Sequence, residues 1–167
     1  MNYIVKNPYL LILSGDEQIR KVQTVLQDGK IVKFDKLLNK SRTPKIYAIK
    51  INGELVYIGY TSQPINIRLN SGLKASGKNG YHGYKWKNES DQIELRTYVF
   101  FEKPLSGNRA EDKNTIDFVE AIEAELVFKF RQEKGVWPKY QNEIHFNNVS
   151  RKTVRAMAEN IYKCLMA

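Results

Sequence analysis

Two tyrosines, an arginine and a pair of glutamates are the side chains of this sequence from which chemistry is most readily built. Tyr47 and Tyr57 lie in two β-rich runs joined by Asn52-Gly53, Arg68 follows in the next segment, and Glu123 and Glu125 sit in a longer apolar-patterned stretch. A carboxylate can hold a hard divalent cation, and an arginine fork donates in parallel to phosphate oxygens. A phenol takes a proton from water only if nearby cations bring its pKa below the usual value near 10. Together these are the parts that phosphodiester hydrolysis requires: an activated water, a positive field for the extra charge on the phosphorane, and stabilisation of the departing oxygen. His82 is of the side-chain type that positions or deprotonates a nucleophile. One Cys and two His exclude a disulfide framework and a four-ligand zinc site, so any metal is held mainly by oxygen.

The elements that must position these groups are legible from periodicity. Residues 46–51 and 54–59 read as a hairpin, because Asn52-Gly53 tolerates the positive φ of a type I′ turn. Thr61 or Ser62, with Pro64 behind it, starts a helix through Ile65, Ile67, Leu69 and Leu73 that carries Arg68. Residues 77–90 read as an exposed loop with a short helical piece, and residues 92–101 alternate as a third strand. A core helix runs from Thr115 or Asp117 to Gly135, and Ser150 caps a last amphipathic helix. Ahead of the hairpin, Ile19, Val22 and Leu26 keep helical spacing between a cap at Ser14 or Asp16 and a stop at Gly29. The expected architecture is α/β: a small three-stranded antiparallel sheet flanked by helices. Residues 1–43 form an N-terminal helical extension, 44–148 the central module, and 149–167 the C-terminal helix.

The 167 residues hold 27 Lys and Arg against 18 Asp and Glu, a formal charge of +9 that favours polyanionic partners. Lys74, Lys78, Lys85 and Lys87, interleaved with Tyr81, Tyr84 and Trp86, are expected to track phosphates while the aromatic rings stack. Phosphate contacts of this kind position a protein without specifying sequence. The longest apolar run, residues 9–13, is far below the roughly 20 residues that cross a bilayer. No secretory signal pattern precedes it, so a cytoplasmic protein with no membrane partner is expected.

Lys45-Ile46-Tyr47 and Tyr57-Ile58-Gly59 resemble the paired signature of the GIY-YIG nuclease family, with Lys45 in place of the first Gly. The rest of the family pattern follows in order, and the resemblance covers roughly residues 44–148. It implies a catalytic role for Arg68 and an active-site role for His82. It also implies a metal-binding Glu within Ile122-Glu123-Ala124-Glu125-Leu126-Val127-Phe128, and the Asn that closes the module at Asn142. A helical wheel puts Glu123 nearer the apolar face, whereas spacing to the following aromatic in family members favours Glu125. Glu125 is taken as the metal ligand, with Glu123 in a supporting place. By the same resemblance Tyr57 is favoured in water activation, with Tyr47 as relay. The function implied is that of a Mg²⁺-dependent endonuclease on double-stranded DNA, Mn²⁺ being able to substitute, similar to the compact restriction enzymes. A weakly specific phage-type DNase, or a non-catalytic nucleic-acid-binding module, are the alternatives. A homodimer would cut both strands at once, and a monomer would nick them in turn.

Overall fold

The computed structural model describes residues 2–102, 104–142, 144–147 and 149–167. Its centre is one six-stranded antiparallel sheet. The strands are β1 (Ile4–Gly15), β2 (Arg20–Gln27), β3 (Lys30–Ile31), β4 (Lys45–Ile51), β5 (Glu54–Thr61) and β6 (Gln92–Val99), in the spatial order β3-β2-β1-β6-β4-β5. Helices α1 (Ile65–Lys74), α2 (Arg109–Lys134) and α3 (Arg151–Met166) pack on it. The fold is therefore α/β, but the expected three-stranded sheet and N-terminal helical arm are both wrong. Residues 4–31 contribute three strands, and β1 lies between β2 and β6 as an interior strand of the sheet.

The error has a local cause. Asp16 does accept hydrogen bonds from the amides of Gln18 and Ile19, at 2.9 and 2.8 Å, as a helix cap would. Here those bonds close the turn between β1 and β2 instead. Gly29 is not a helix stop: Asp28 and Gly29 both have positive φ (50° and 75°) and form the two-residue turn into β3. The β-branched content of Val22, Thr24 and Val25 outweighs the accidental helical spacing of Ile19, Val22 and Leu26.

The hairpin at Asn52-Gly53 forms where expected, with φ of 51° and 82° at its turn. Cores lie on both faces of the sheet. Ile46, Ala48 and Tyr98 pack with Ile122, Leu126 and Ile161 of α2 and α3 on one face. On the other, Tyr47, Ile49 and Leu95 pack with Leu69 and Leu73 of α1 and with Leu38 and Trp86. Helix α2 begins earlier than expected, at a cap where the Asn108 side chain accepts from the Ala110 amide at 3.0 Å, and ends on Gly135 in the left-handed region. β5 is an edge strand, and the segment after α2 covers part of that edge: the Tyr140 amide donates to Val56 O at 2.9 Å, and the Ile58 amide to Gln141 Oε1 at 3.1 Å.

Lys45, the residue in place of the family glycine, is fully buried. Its ammonium donates to the carbonyls of Thr43, Lys40 and Gln63 at 2.7, 2.9 and 3.1 Å, tying the entry to β4 to the entry to α1. Burial pulls its pKa down to about 8, while the three carbonyls favour the charged form.

Candidate active site

A cleft of about 300 Å³ opens beside β5, between α1, α2, the 81–86 loop and residues 140–142 and 145. Pairing places Tyr47 opposite Gly59 and Tyr57 opposite Ile49, so the two tyrosines share a face diagonally, with ring centroids 5.8 Å apart. Gly59 makes this possible. A Cβ there would stand 2.8 Å from Tyr47 Cζ and Oη and from Tyr57 Cε1.

Tyr47 is completely buried. Its oxygen accepts from Arg68 Nε at 3.3 Å and lies 3.0 Å from Tyr84 Oη, while the Tyr84 hydroxyl donates to the carbonyl of Arg68 at 3.3 Å. Tyr84 has one proton and spends it on that carbonyl, so Tyr47 must donate to Tyr84. The three groups form a closed circuit that fixes the arginine from both ends. The guanidinium also lies 5.6 Å from the centre of the Tyr84 ring. Burial pushes the phenol of Tyr47 well above its ordinary value. It does the same to Tyr57, whose proximity to Tyr47 and Glu123 adds to the rise against the opposing pull of Arg68. Both are firmly protonated phenols in this state.

On α2 the structure separates the two glutamates. Residues two apart on a helix point about 200° away from each other, so only one can face the cleft. That one is Glu123, 8% exposed and lining the cleft with Glu120, one turn earlier on the same face. Burial and then the charge of Glu120 push its pKa up to about 8, against the pull of Arg68 and of the Tyr60 amide. Glu125 lies on the far side, in the groove toward α3, with Oε1 3.2 Å from Arg155 Nε. The placement of the metal ligand at Glu125 is corrected accordingly: that carboxylate is paired with an arginine away from Arg68 and the tyrosines. Glu120 is held from the other side by Asn147 Nδ2, 2.9 Å from Oε2.

No protein-family model, curated protein or solved structure matches this chain. The chemistry must be read from the cleft itself.

Asn142 lines the cleft, and its Oδ1 accepts from Lys85 Nζ at 3.0 Å. His82 is exposed and packs against Gly77 outside the cleft lining, whereas His145 lines it. Lys74 and Lys78 are exposed. Two expected nucleic-acid contacts are corrected. Lys87 is 8% exposed, and its ammonium donates to Ala75 O at 2.7 Å and Gln18 O at 2.8 Å, clamping the β1–β2 turn to the end of α1. Tyr84 is buried and stacked on Trp86 with centroids 4.5 Å apart, so its ring is a wall of the site, with no face free for a base. Sequence reading passed over Tyr60, Glu120 and Tyr140, which also line the cleft. The three-residue spacing of Glu120 and Glu123 was the available signal for the second of these.

Proposed function

We propose that this protein is a divalent-cation-dependent endonuclease that hydrolyses phosphodiester bonds of double-stranded DNA, with a site of the GIY-YIG type. The observation that carries the reading is that Arg68, buried Glu123 and Tyr57 of β5 line one cleft, close enough to influence one another electrostatically. A purely nucleic-acid-binding surface has no use for a desolvated carboxyl group beside its arginine, since burying it costs free energy and it repels phosphate whenever it ionises.

The donor set fits a hard cation. Glu123 is a buried carboxylate whose anionic form is disfavoured until a positive charge joins it, and Glu120 supplies a second carboxylate on the same helix face. Mg²⁺ characteristically takes one or two carboxylates, keeps several waters and shares substrate phosphate oxygens. Among the described residues no group of three or more His, Cys, Asp or Glu gathers at one point, which agrees with a site completed by substrate. When bound, such a cation supplies positive field at the phosphate and at the phenol of Tyr57.

The chain's own groups then have distinct tasks. Arg68 uses Nε on Tyr47, leaving Nη1 and Nη2 for the scissile phosphate. Tyr47 positions that arginine through the circuit with Tyr84. Tyr57, which lines the cleft, orients the attacking water through its hydroxyl oxygen; a protonated phenol takes up the water's proton only after its own has left to solvent, a step that a bound cation would favour by lowering its pKa. Lys85 and Asn142 hold the rim where the flanking phosphate passes.

The test is nicking of supercoiled plasmid by purified protein. Mg²⁺ or Mn²⁺ supports conversion to open-circular and linear forms, EDTA abolishes it, and Glu123→Ala abolishes it with either metal. Binding without any nicking, or cleavage indifferent to Glu123→Ala, overturns the proposal. Discrete fragments indicate a restriction-type enzyme; a smear indicates a weakly specific one.

A further inference from the structure

With Lys87 buried and Tyr84 walled in, the loop beside the cleft offers less to a duplex than the sequence suggested, and the excess charge must act elsewhere. Between residues 30 and 42 stand five basic residues and one acid, Asp35. Asp35 is paired with Lys6 of β1 at 3.1 Å, and Arg42 donates to Ser106 O at 2.8 Å. The remaining four, Lys30, Lys33, Lys36 and Lys40, are all exposed, and none has an ion-pair partner among the described residues.

The segment that carries them is fixed. Its apolar residues alternate with the lysines: Leu38 is fully buried, and Val32, Phe34 and Leu37 pack against the same core as α1. Its end is bonded to the first turn of α1, with the Ile65 amide donating to Leu38 O at 3.0 Å and the Asn66 amide to Asn39 Oδ1 at 3.3 Å. Arg68 lies one helical turn further on. At its other end Lys30 belongs to β3, the far edge of the sheet from β5. Asn39 lines one groove with Asn66 of α1, with Gln23, Thr24 and Val25 of β2 and with Lys33, so the segment runs close beside the start of α1. The lysines therefore stand on an exposed stretch that follows the β2–β3 edge of the sheet to the start of α1.

We infer that Lys30, Lys33, Lys36 and Lys40 form a rigid phosphate track that holds the DNA duplex flanking the cleavage site, registered to the cleft through α1. The track rests on the endonuclease reading for its partner, and its charge spacing suits a regular polyanion better than a compact acidic ligand.

Anisotropy titration of labelled duplexes in EDTA, where no cleavage occurs, tests it across 50 to 200 mM KCl. Wild-type protein is compared with Lys30→Ala/Lys33→Ala/Lys36→Ala/Lys40→Ala on duplexes of about 20 and about 8 base pairs, after thermal unfolding has verified that the variant is folded. The four substitutions are expected to reduce the slope of log K against log[salt] on the longer duplex by about 3 to 4. The variant's loss of affinity over that salt range is then about 100-fold smaller than the wild type's. The short duplex, about 27 Å long at ~3.4 Å per base pair, fills the cleft or the lysine stretch but not both, so its slope falls by less. An unchanged slope on the longer duplex, equal losses on both lengths, or binding to phosphatidylserine vesicles without binding to DNA overturns the track. The outcomes separate from those of the nuclease proposal: a reduced slope with no nicking in Mg²⁺ keeps the track and removes the nuclease, and nicking with an unchanged slope does the reverse.

Discussion

Gly59→Ala isolates the geometry on which the proposed site depends. The glycine is paired with Tyr47 in regular antiparallel register and has no positive φ, so alanine meets no backbone strain there. The whole effect is steric. The new methyl would stand 2.8 Å from three ring atoms, Cζ and Oη of Tyr47 and Cε1 of Tyr57, where ordinary contact needs about 3.4 Å or more. Both rings are hemmed in, Tyr47 by complete burial and Tyr57 by Tyr84 at 5.8 Å between centroids, so they must move together by at least half an ångström. Overpacking of this kind costs about 1 to 3 kcal/mol. The same displacement lengthens the bond from Arg68 Nε to Tyr47 Oη, which at 3.3 Å has no slack before it ceases to be a hydrogen bond. Misplacing a positioned group by about 1 Å costs on the order of 10²-fold in rate. Urea unfolding is thus expected to show a loss of about 1 to 3 kcal/mol, and plasmid nicking under conditions where the variant stays folded a rate reduced on the order of 10²-fold. Nicking within twofold of wild type would refute the dependence of catalysis on the Tyr47–Arg68 circuit.

Other substitutions discriminate further. Glu123→Gln is expected to lower nicking by at least about 10²-fold, whereas Glu125→Gln, on the far face of α2, leaves it within about threefold in the same assay. In metal-free protein the folded-state pKa of Glu123 is raised to about 8 from an ordinary 4.5, so the native state holds a proton that the unfolded chain releases. Its contribution to stability is full below about pH 4.5 and is lost as pH rises through about 8, a few kcal/mol at most; Glu123→Gln flattens that part of a urea-midpoint profile. Cation binding runs in the opposite sense: because the carboxylate must lose its proton first, Mn²⁺ affinity measured calorimetrically rises with pH up to about 8, with proton release, and levels off above it. Lys45→Met leaves three carbonyls without their donor and is expected to cost about 2 to 4 kcal/mol of unfolding free energy by the same denaturation measurement.

The parts of the fold that could be read were those in which local and tertiary preferences agree. Asn52-Gly53 demands a two-residue turn wherever it occurs, and the flanking runs are buried on both faces, so the hairpin was legible. The N-terminal third was not. Asp16 makes the same side-chain bonds to following amides whether it caps a helix or closes a hairpin, and Asp28-Gly29 ends a helix or turns a strand equally well. What decides between them is the free edge of β6, which lies next to β1 in the sheet and about 80 residues later in the chain. No local pattern carries that information.

The site divides along a similar line. Residue types and order sufficed to bring Tyr47, Tyr57 and Arg68 together, because the hairpin and the first turns of α1 hold them in a short contiguous stretch. Lysines were a different matter, since exposure is not written in their spacing. Lys87 and Lys45 look like any other surface cation, yet each is buried, with its ammonium on two or three carbonyls, whereas Lys30, Lys33, Lys36 and Lys40 stay exposed in a segment whose apolar residues pack on the core. Glu123 and Glu125 were separable in principle. The helical wheel favoured Glu123 for the side facing the apolar core, and that preference gave way to the spacing implied by the family resemblance, which put the ligand at the more exposed Glu125. The physical chemistry runs the other way: a carboxylate in water gains little from binding a cation it must share with solvent, while a buried one, destabilised as an anion and adjacent to a second carboxylate, is the group whose energy a cation changes most. Desolvation therefore favours Glu123 over the accessible Glu125 as the proposed ligand.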